Sequence, residues 1–249
     1  MLNSFFHLSH EERLALIRQA SRQFQLSDMM IEKDLWVCWL LEKIFALPVQ
    51  MAFKGGTSLS KVFSLIRRFS EDCDVTIDYR HFMPPLDFQQ LSRSQLKKVS
   101  EQLKTHLKEY AANVVLPYLQ QEIENTFPQQ RFELTLDEEG EQLRFYYPSV
   151  IHTFPGYLRD HVLIEFGIRN STEPCEKYQI HPYLAETVGE HFILPKPWIN
   201  TLSPMRTFWE KATLMHVECH RERFTQTPER LSRHWYDLFM LHSSPIGQE

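Results

Sequence analysis

Residues 51–78 read MAFKGGTSLSKVFSLIRRFSEDCDVTID, and the fold follows from how this stretch is punctuated. It parses as a short apolar run, a glycine doublet with Thr57 and Ser58, a turn or two of helix, and an apolar strand that carries two aspartates. The chain has only seven glycines in 249 residues, so an adjacent pair, Gly55 and Gly56, marks backbone that must come close to something. Asp72 and Asp74 lie two apart, which on a strand turns both carboxylates to one face. Such a pair repels itself unless one acid is protonated or a cation lies between them. A loop able to cradle phosphate, followed by an acidic pair able to hold a cation, is the minimum equipment for nucleotide chemistry.

Outward from this stretch, Met51–Phe53 reads as the first sheet strand, Thr57–Leu65 as a helix and Asp72–Tyr79 as the next strand. The helix start would aim unpaired N–H groups at an anion, with Thr57 and Ser58 adding hydroxyl donors. Lys61, Arg67 and Arg68 read as surface charges, the alternative being phosphate ligands. Upstream, Ser9-His-Glu-Glu12 has the spacing of a capping box and opens an amphipathic helix to about Gln23. A second helix is expected from Ser27 or Asp28 to Ala46, with a broad apolar face and Pro48 as its stop. Its Glu32-Lys33-Asp34 run reads as a solvated charge cluster that could instead approach the site. Downstream, Ser92–Glu124 has apolar residues at three- and four-residue steps, with Pro117 as a possible kink. Lysines 97, 98, 104 and 108 along it read as a solvated face or a weak RNA-facing surface.

The segments 131–136 and 142–147 alternate like the arms of a hairpin around Asp137-Glu-Glu-Gly140. VLIEFGIR, residues 162–169, reads as another strand, and Glu165 interrupts its apolar run. A carboxylate there is expensive to bury without a partner; a divalent cation shared with the aspartates would be one, and an ion pair with Arg159 or Arg169 another. Residues 171–199 look irregular. A helical composition begins at Ser203, which sets a boundary between a core (1–200) and a helical carboxy-terminal part (201–249). His216, Cys219 and His220 share a helix face, but ligands on one helix do not easily close a tetrahedral metal site alone.

Composition narrows the class. Hydrophobic residues at 43% and charged residues at 24% suit a soluble globular chain, and no apolar run has the roughly 18–20 residues of a membrane span. The amino terminus lacks a basic start and cleavable apolar segment, and the four cysteines are scattered singly. Both point to the cytoplasm. A net charge of −5 argues against a broad non-specific nucleic-acid binder. There is no Walker loop and no nucleophile elbow.

The order Gly-Gly, Asp-x-Asp and a later strand carboxylate resembles the nucleotidyltransferase signature. More narrowly, FKGGTSLSK followed by RRFSEDCDVTI resembles the AbiEii/AbiGii toxins of bacterial type IV toxin–antitoxin and phage-defence systems. The likeness covers about residues 30–80, more weakly 160–185, and again 203–242. It implies an α/β (α+β) nucleotidyltransferase core with a mixed sheet, a helical insertion and a helical carboxy-terminal part. It further implies an NTP substrate, two Mg²⁺ ions held by Asp72, Asp74 and Glu165, and phosphate binding by Gly55, Gly56, Thr57 and Ser58. In RTFWEKATLMH, Lys211 matches the family's phosphate-contacting lysine, the alternative being a surface lysine. In SRHWYDLFML, Asp237 matches its last acidic motif, either orienting Lys211, contacting base or acceptor, or stabilising the helix. A tRNA or other RNA acceptor and a cognate antitoxin are the partners this implies. A non-catalytic binding member, or a transferase acting on a protein or small molecule, are the rival readings.

Overall fold

The computed structural model describes residues 3–151, 159–169, 171–223 and 228–248. The helices are α1 (His10–Phe24), α2 (Asp28–Ile44), α3 (Gly55–Lys61), α4 (Arg93–Tyr110), α5 (Leu116–Thr126), α6 (Leu184–Val188), α7 (Pro204–Cys219) and α8 (Pro228–His242). The strands are β1 (Asn3–Ser4), β2 (Met51–Lys54), β3 (Asp72–Ile77), β4 (Glu133–Leu136), β5 (Gln142–Tyr146), β6 (Val162–Gly167), β7 (Cys175–Gln179), β8 (Phe192–Ile193) and β9 (Trp198–Leu202). Seven strands form one mixed sheet in the order β4-β5-β6-β3-β2-β9-β7. Within it β3–β6 and β2–β9 run parallel and the other neighbours antiparallel. The chain is an α/β fold on a mixed sheet, and β1 and β8 form a separate parallel pair.

Local chemistry sets the element boundaries. Ser9 and Glu12 close the expected capping box at the start of α1, and the Ser27 side chain caps α2. The expected helix over residues 57–65 instead starts at Gly55 and ends at Lys61, because the chain turns left-handed at Ser64. The expected long helix over 92–124 divides into α4 and α5 around a π turn at Ala111–Val115. Pro117 has no N–H for the carbonyl four residues back, and the turn before it widens, with the Leu116 N–H bonding the Ala111 carbonyl. Lys97, Lys98 and Lys108 are exposed along α4.

α2 is buried nearly all round: 13 of its 17 residues are buried, so it is a central helix and not an amphipathic surface one. Trp36 packs among Phe6, Phe127, Phe132, Phe145 and Tyr147. Burying an aromatic this completely is worth about 1.5–3 kcal/mol. Cys73, Val75, Ile77, Ile164 and Phe166 share this core with α2. By strand alternation, the intervening residues of β3 and β6 face the opposite side.

The Glu32-Lys33-Asp34 run corrects the expectation of a solvated cluster, since all three residues are buried. Each grips a different segment. Glu32 accepts from the Val150 N–H at 2.7 Å and from the Ser149 hydroxyl. Lys33 pairs with Glu71 at 2.9 Å and donates to the Arg159 carbonyl at 3.1 Å. Asp34 pairs with Lys61 and accepts from the Tyr183 N–H at 2.7 Å. Lys61, expected at the surface, is therefore an interior residue. Burial pulls its ammonium down, but Asp34 and Cys38 outweigh that and leave it above the ordinary lysine value.

Candidate active site

Strand register builds the site. Lys54 lies opposite Asp74 across β2–β3, Asp74 opposite Glu165 across β3–β6, and Glu165 opposite Gln142 across β5–β6. One row thus crosses four strands, with two acids side by side at its centre. Asp72, two residues before Asp74, turns to the same face. Asp72, Asp74 and Glu165 line one cleft of about 190 Å³ with Gly56, Arg68 and Lys211. The cleft is of a size to take phosphates, and its open side leaves the rest of a ligand outside it. A larger cleft, about 760 Å³, lies between α5 and the β4–β5 hairpin and contains none of these residues.

Asp74 lies at the crowded centre of this cleft. Its carboxyl is pushed up to about 6, chiefly by burial, with Glu165 and Asp72 adding to the rise and Lys54 and Lys211 opposing it. The glycine doublet makes the crowding possible. Gly55 has φ +74°, and a Cβ there would lie 2.0 Å from Asp74 Oδ2; one on Gly56 would lie 2.8 Å from Arg68 Nη2 and 2.9 Å from Ser70 Oγ. These glycines let the acid and the arginine reach into the loop.

Two cations line the cleft with the acids. Lys211 Nζ on α7 lies 3.0 Å from Asp237 Oδ2 on α8, and Arg68 grips the same carboxylate with Nε at 2.9 Å and Nη2 at 2.7 Å. Asp237 is fully buried, so it touches cleft residues and not the cleft. It bonds Lys211 and Arg68 at once. Arg68, expected to be a surface charge, faces the cleft. Arg67 is exposed. The α7–α8 hairpin is held by Leu59, Ile66 and Leu241 packing with Phe208, Tyr236 and Met240.

The structure turns the Thr57 and Ser58 hydroxyls away from the expected role as phosphate donors. Thr57 Oγ1 donates to the Asp72 and Ser70 carbonyls and Ser58 Oγ to the Gly55 carbonyl at 2.9 Å. Both residues are buried and stiffen the loop under the acids. From the sequence, Arg159 reads only as a partner for Glu165. Its guanidinium instead meets Asp72 Oδ1 at 2.6 Å, and Glu165 Oε1 accepts from Gln142 Nε2 at 3.0 Å. Neither pairing had a signal in the sequence, because each depends on register or on a loop end far along the chain.

These carboxylates suit Mg²⁺ as hard oxygen ligands, and the raised Asp74 carboxyl is what a cation at this spot would relieve. In the arrangement seen, Asp72 is turned to Arg159 and Glu165 to Gln142, and among the described residues no three His, Cys, Asp or Glu side chains already close around one point. Asp72 and Asp74 are the residues that would hold the ion, with Glu165 within the same cleft. His216 and His220 are exposed on α7, their rings tilted against each other with centroids 4.3 Å apart, and neither lines this cleft.

Residues 39–249 match the family described as nucleotidyl transferase AbiEii toxin, type IV TA system. The chain belongs to this family. AbiEii proteins are nucleotidyl transferases and toxins of type IV toxin–antitoxin systems, which implies an NTP substrate and a cognate antitoxin. The matched span contains every cleft residue named above. Comparison with curated proteins gives no match. Among solved structures, the chain is similar to an antigenic nucleotidyltransferase-like protein from Paracoccidioides brasiliensis at 14% identity, over 84% of this chain and 75% of that one, with a TM-score of 0.42. No helix among the described residues of this AbiEii chain is long and apolar enough to cross a membrane.

Proposed function

We propose that this AbiEii chain transfers a nucleotidyl group from an NTP to an acceptor hydroxyl in the cytoplasm, in a Mg²⁺-dependent reaction. The core, 1–200, contributes the acids and the glycine turn, and the helical part, 201–249, contributes Lys211 and its support. The observation that carries this reading is the row of strand register that sets Asp74 beside Glu165, with Asp72 on the same face and Lys211 across one cleft.

In this reaction the acceptor O–H bond breaks, its oxygen bonds the α-phosphorus, and the α–β bridge breaks to release pyrophosphate. Mg²⁺ on Asp72, Asp74 and Glu165 would ease loss of the hydroxyl proton and neutralise charge on the phosphates. Gly56 leaves the cleft floor open to the polyphosphate, and Lys211 meets the β- and γ-phosphates as a point charge. Asp237 keeps Lys211 and Arg68 aimed at that place, so catalysis is positioning plus electrostatics. The exposed Lys97, Lys98 and Lys108 along α4 support an RNA, tRNA first, as the acceptor.

The test is incubation with each labelled NTP, Mg²⁺ and total cell RNA. Label should enter an RNA species with wild-type protein and not with Asp72→Ala or Asp74→Ala. Uptake by either variant at the wild-type rate would refute the site.

A further inference from the structure

We infer that Arg159 is a nucleotide-phosphate ligand, parked on Asp72 when no nucleotide is bound. The inference rests on the nucleotidyl-transfer reading and adds a residue to its site.

Three observations carry it. First, the peptide of Arg159 is clamped on both sides by a buried ion pair. Its N–H donates to Glu71 Oε2 at 2.9 Å, its carbonyl accepts from Lys33 Nζ at 3.1 Å, and Lys33 and Glu71 bond each other at 2.9 Å. Lys33 is 1% exposed and Glu71 8%. Two interior charges are costly to bury, and what this pair holds is the backbone of one arginine. Second, the clamp sets that arginine beside the acidic pair, with Nη1 2.6 Å from Asp72 Oδ1. Third, the pairing reaches solvent. Its side chains are 31% and 27% exposed, unlike the interior Lys33–Glu71 pair, so an incoming ion can compete for it.

The exchange follows from charge. A cation taken up by Asp72 competes with the guanidinium for the same oxygen. The backbone of Arg159 stays clamped, so the released side chain swings over the cleft mouth. A triphosphate brings the negative charge that replaces Asp72, and a guanidinium suits phosphate because its fork donates two parallel bonds. Arg159 thus masks the acid while the cleft is empty and binds the substrate when it fills.

The experiment measures binding and not turnover. Titrate Mn²⁺ alone, then a non-hydrolysable NTP with Mg²⁺, into wild type, Arg159→Ala and Arg159→Lys, following heat of binding. Arg159→Ala should bind Mn²⁺ about fivefold more tightly, the value of a partly exposed ion pair, and the nucleotide about 10- to 100-fold more weakly, the range for a charged hydrogen bond. Arg159→Lys keeps the charge but loses the fork; it should hold Mn²⁺ as wild type does and recover part of the nucleotide affinity. Nucleotide affinity unchanged in both variants overturns the inference while leaving the transferase reading intact. No nucleotide binding by wild type would instead remove the transferase reading beneath it. Arg159→Lys keeps the test open if the alanine variant unfolds.

Discussion

Replacing Asp74 by asparagine should inactivate the protein and make it more stable. The Asp74 carboxyl titrates near 6 in the folded chain against an ordinary 3.8. The folded value lies above the unfolded one, so the protonated form is favoured by folding and ionisation costs stability. That cost is absent below about pH 4, grows as pH rises toward 6 and is complete above it. A shift of about two pK units corresponds to at most about 3 kcal/mol, at 1.36 kcal/mol per unit. Asp74 is half-buried, which trims this to about 1–3 kcal/mol. For a chain of this size, 1 kcal/mol moves Tm by about 2–4 °C, so Asp74→Asn should melt about 2–12 °C higher at pH 7.5. Most of that gap should vanish at pH 4. Mg²⁺ at ten times its Kd should raise the wild-type Tm by the equivalent of about 1.4 kcal/mol and leave the variant unmoved. Scanning calorimetry at the two pH values, with and without Mg²⁺, reads all of this. A variant less stable than wild type at pH 7.5 would refute the electrostatic account of the cleft.

Gly55→Ala should cost about 1–3 kcal/mol through its positive φ and its Cβ contact with Asp74. The same change in an Asp74→Ala background should cost less, which urea unfolding of the double-mutant cycle would show. Asp237→Ala should destabilise by about 3–5 kcal/mol, because it leaves Arg68 and Lys211 without their shared carboxylate; equal stability of variant and wild type in urea would contradict the orienting role. Lys61→Met should cost about 3–5 kcal/mol by stranding Asp34 in the interior, and adding Asp34→Leu should recover much of it.

The strands that build the site were readable because their alternation survives burial: Asp72 and Asp74 on β3 and Glu165 on β6 stand out against apolar neighbours. What alternation does not give is register, and register set Asp74 beside Glu165 and Glu165 beside Gln142. The charged residues were the harder part. Lys61 and Arg68 read as surface residues because their partners, Asp34 and Asp237, lie 27 and 169 positions away. Thr57 and Ser58 looked like ligand donors because a hydroxyl beside a glycine turn serves equally well facing inward. The Glu32-Lys33-Asp34 run did hold a clue: charges in the middle of a helix that is apolar on every side have no solvent to face. Asp237 stands out in the sequence only by its place in a motif; that it is fully buried against Lys211 and Arg68 depends on helix packing that the sequence does not show.

Consecutive residues on a helix point about 100° apart, so Glu32, Lys33 and Asp34 reach out from α2 like spokes spanning more than half a circle. A one-residue slip or a modest roll of that helix would tear all three anchors loose at once. α2 is therefore an axle fixed to its surroundings, and amides along it should exchange only when the whole protein opens. Any breathing that admits a nucleotide has to come from the pieces hung around it.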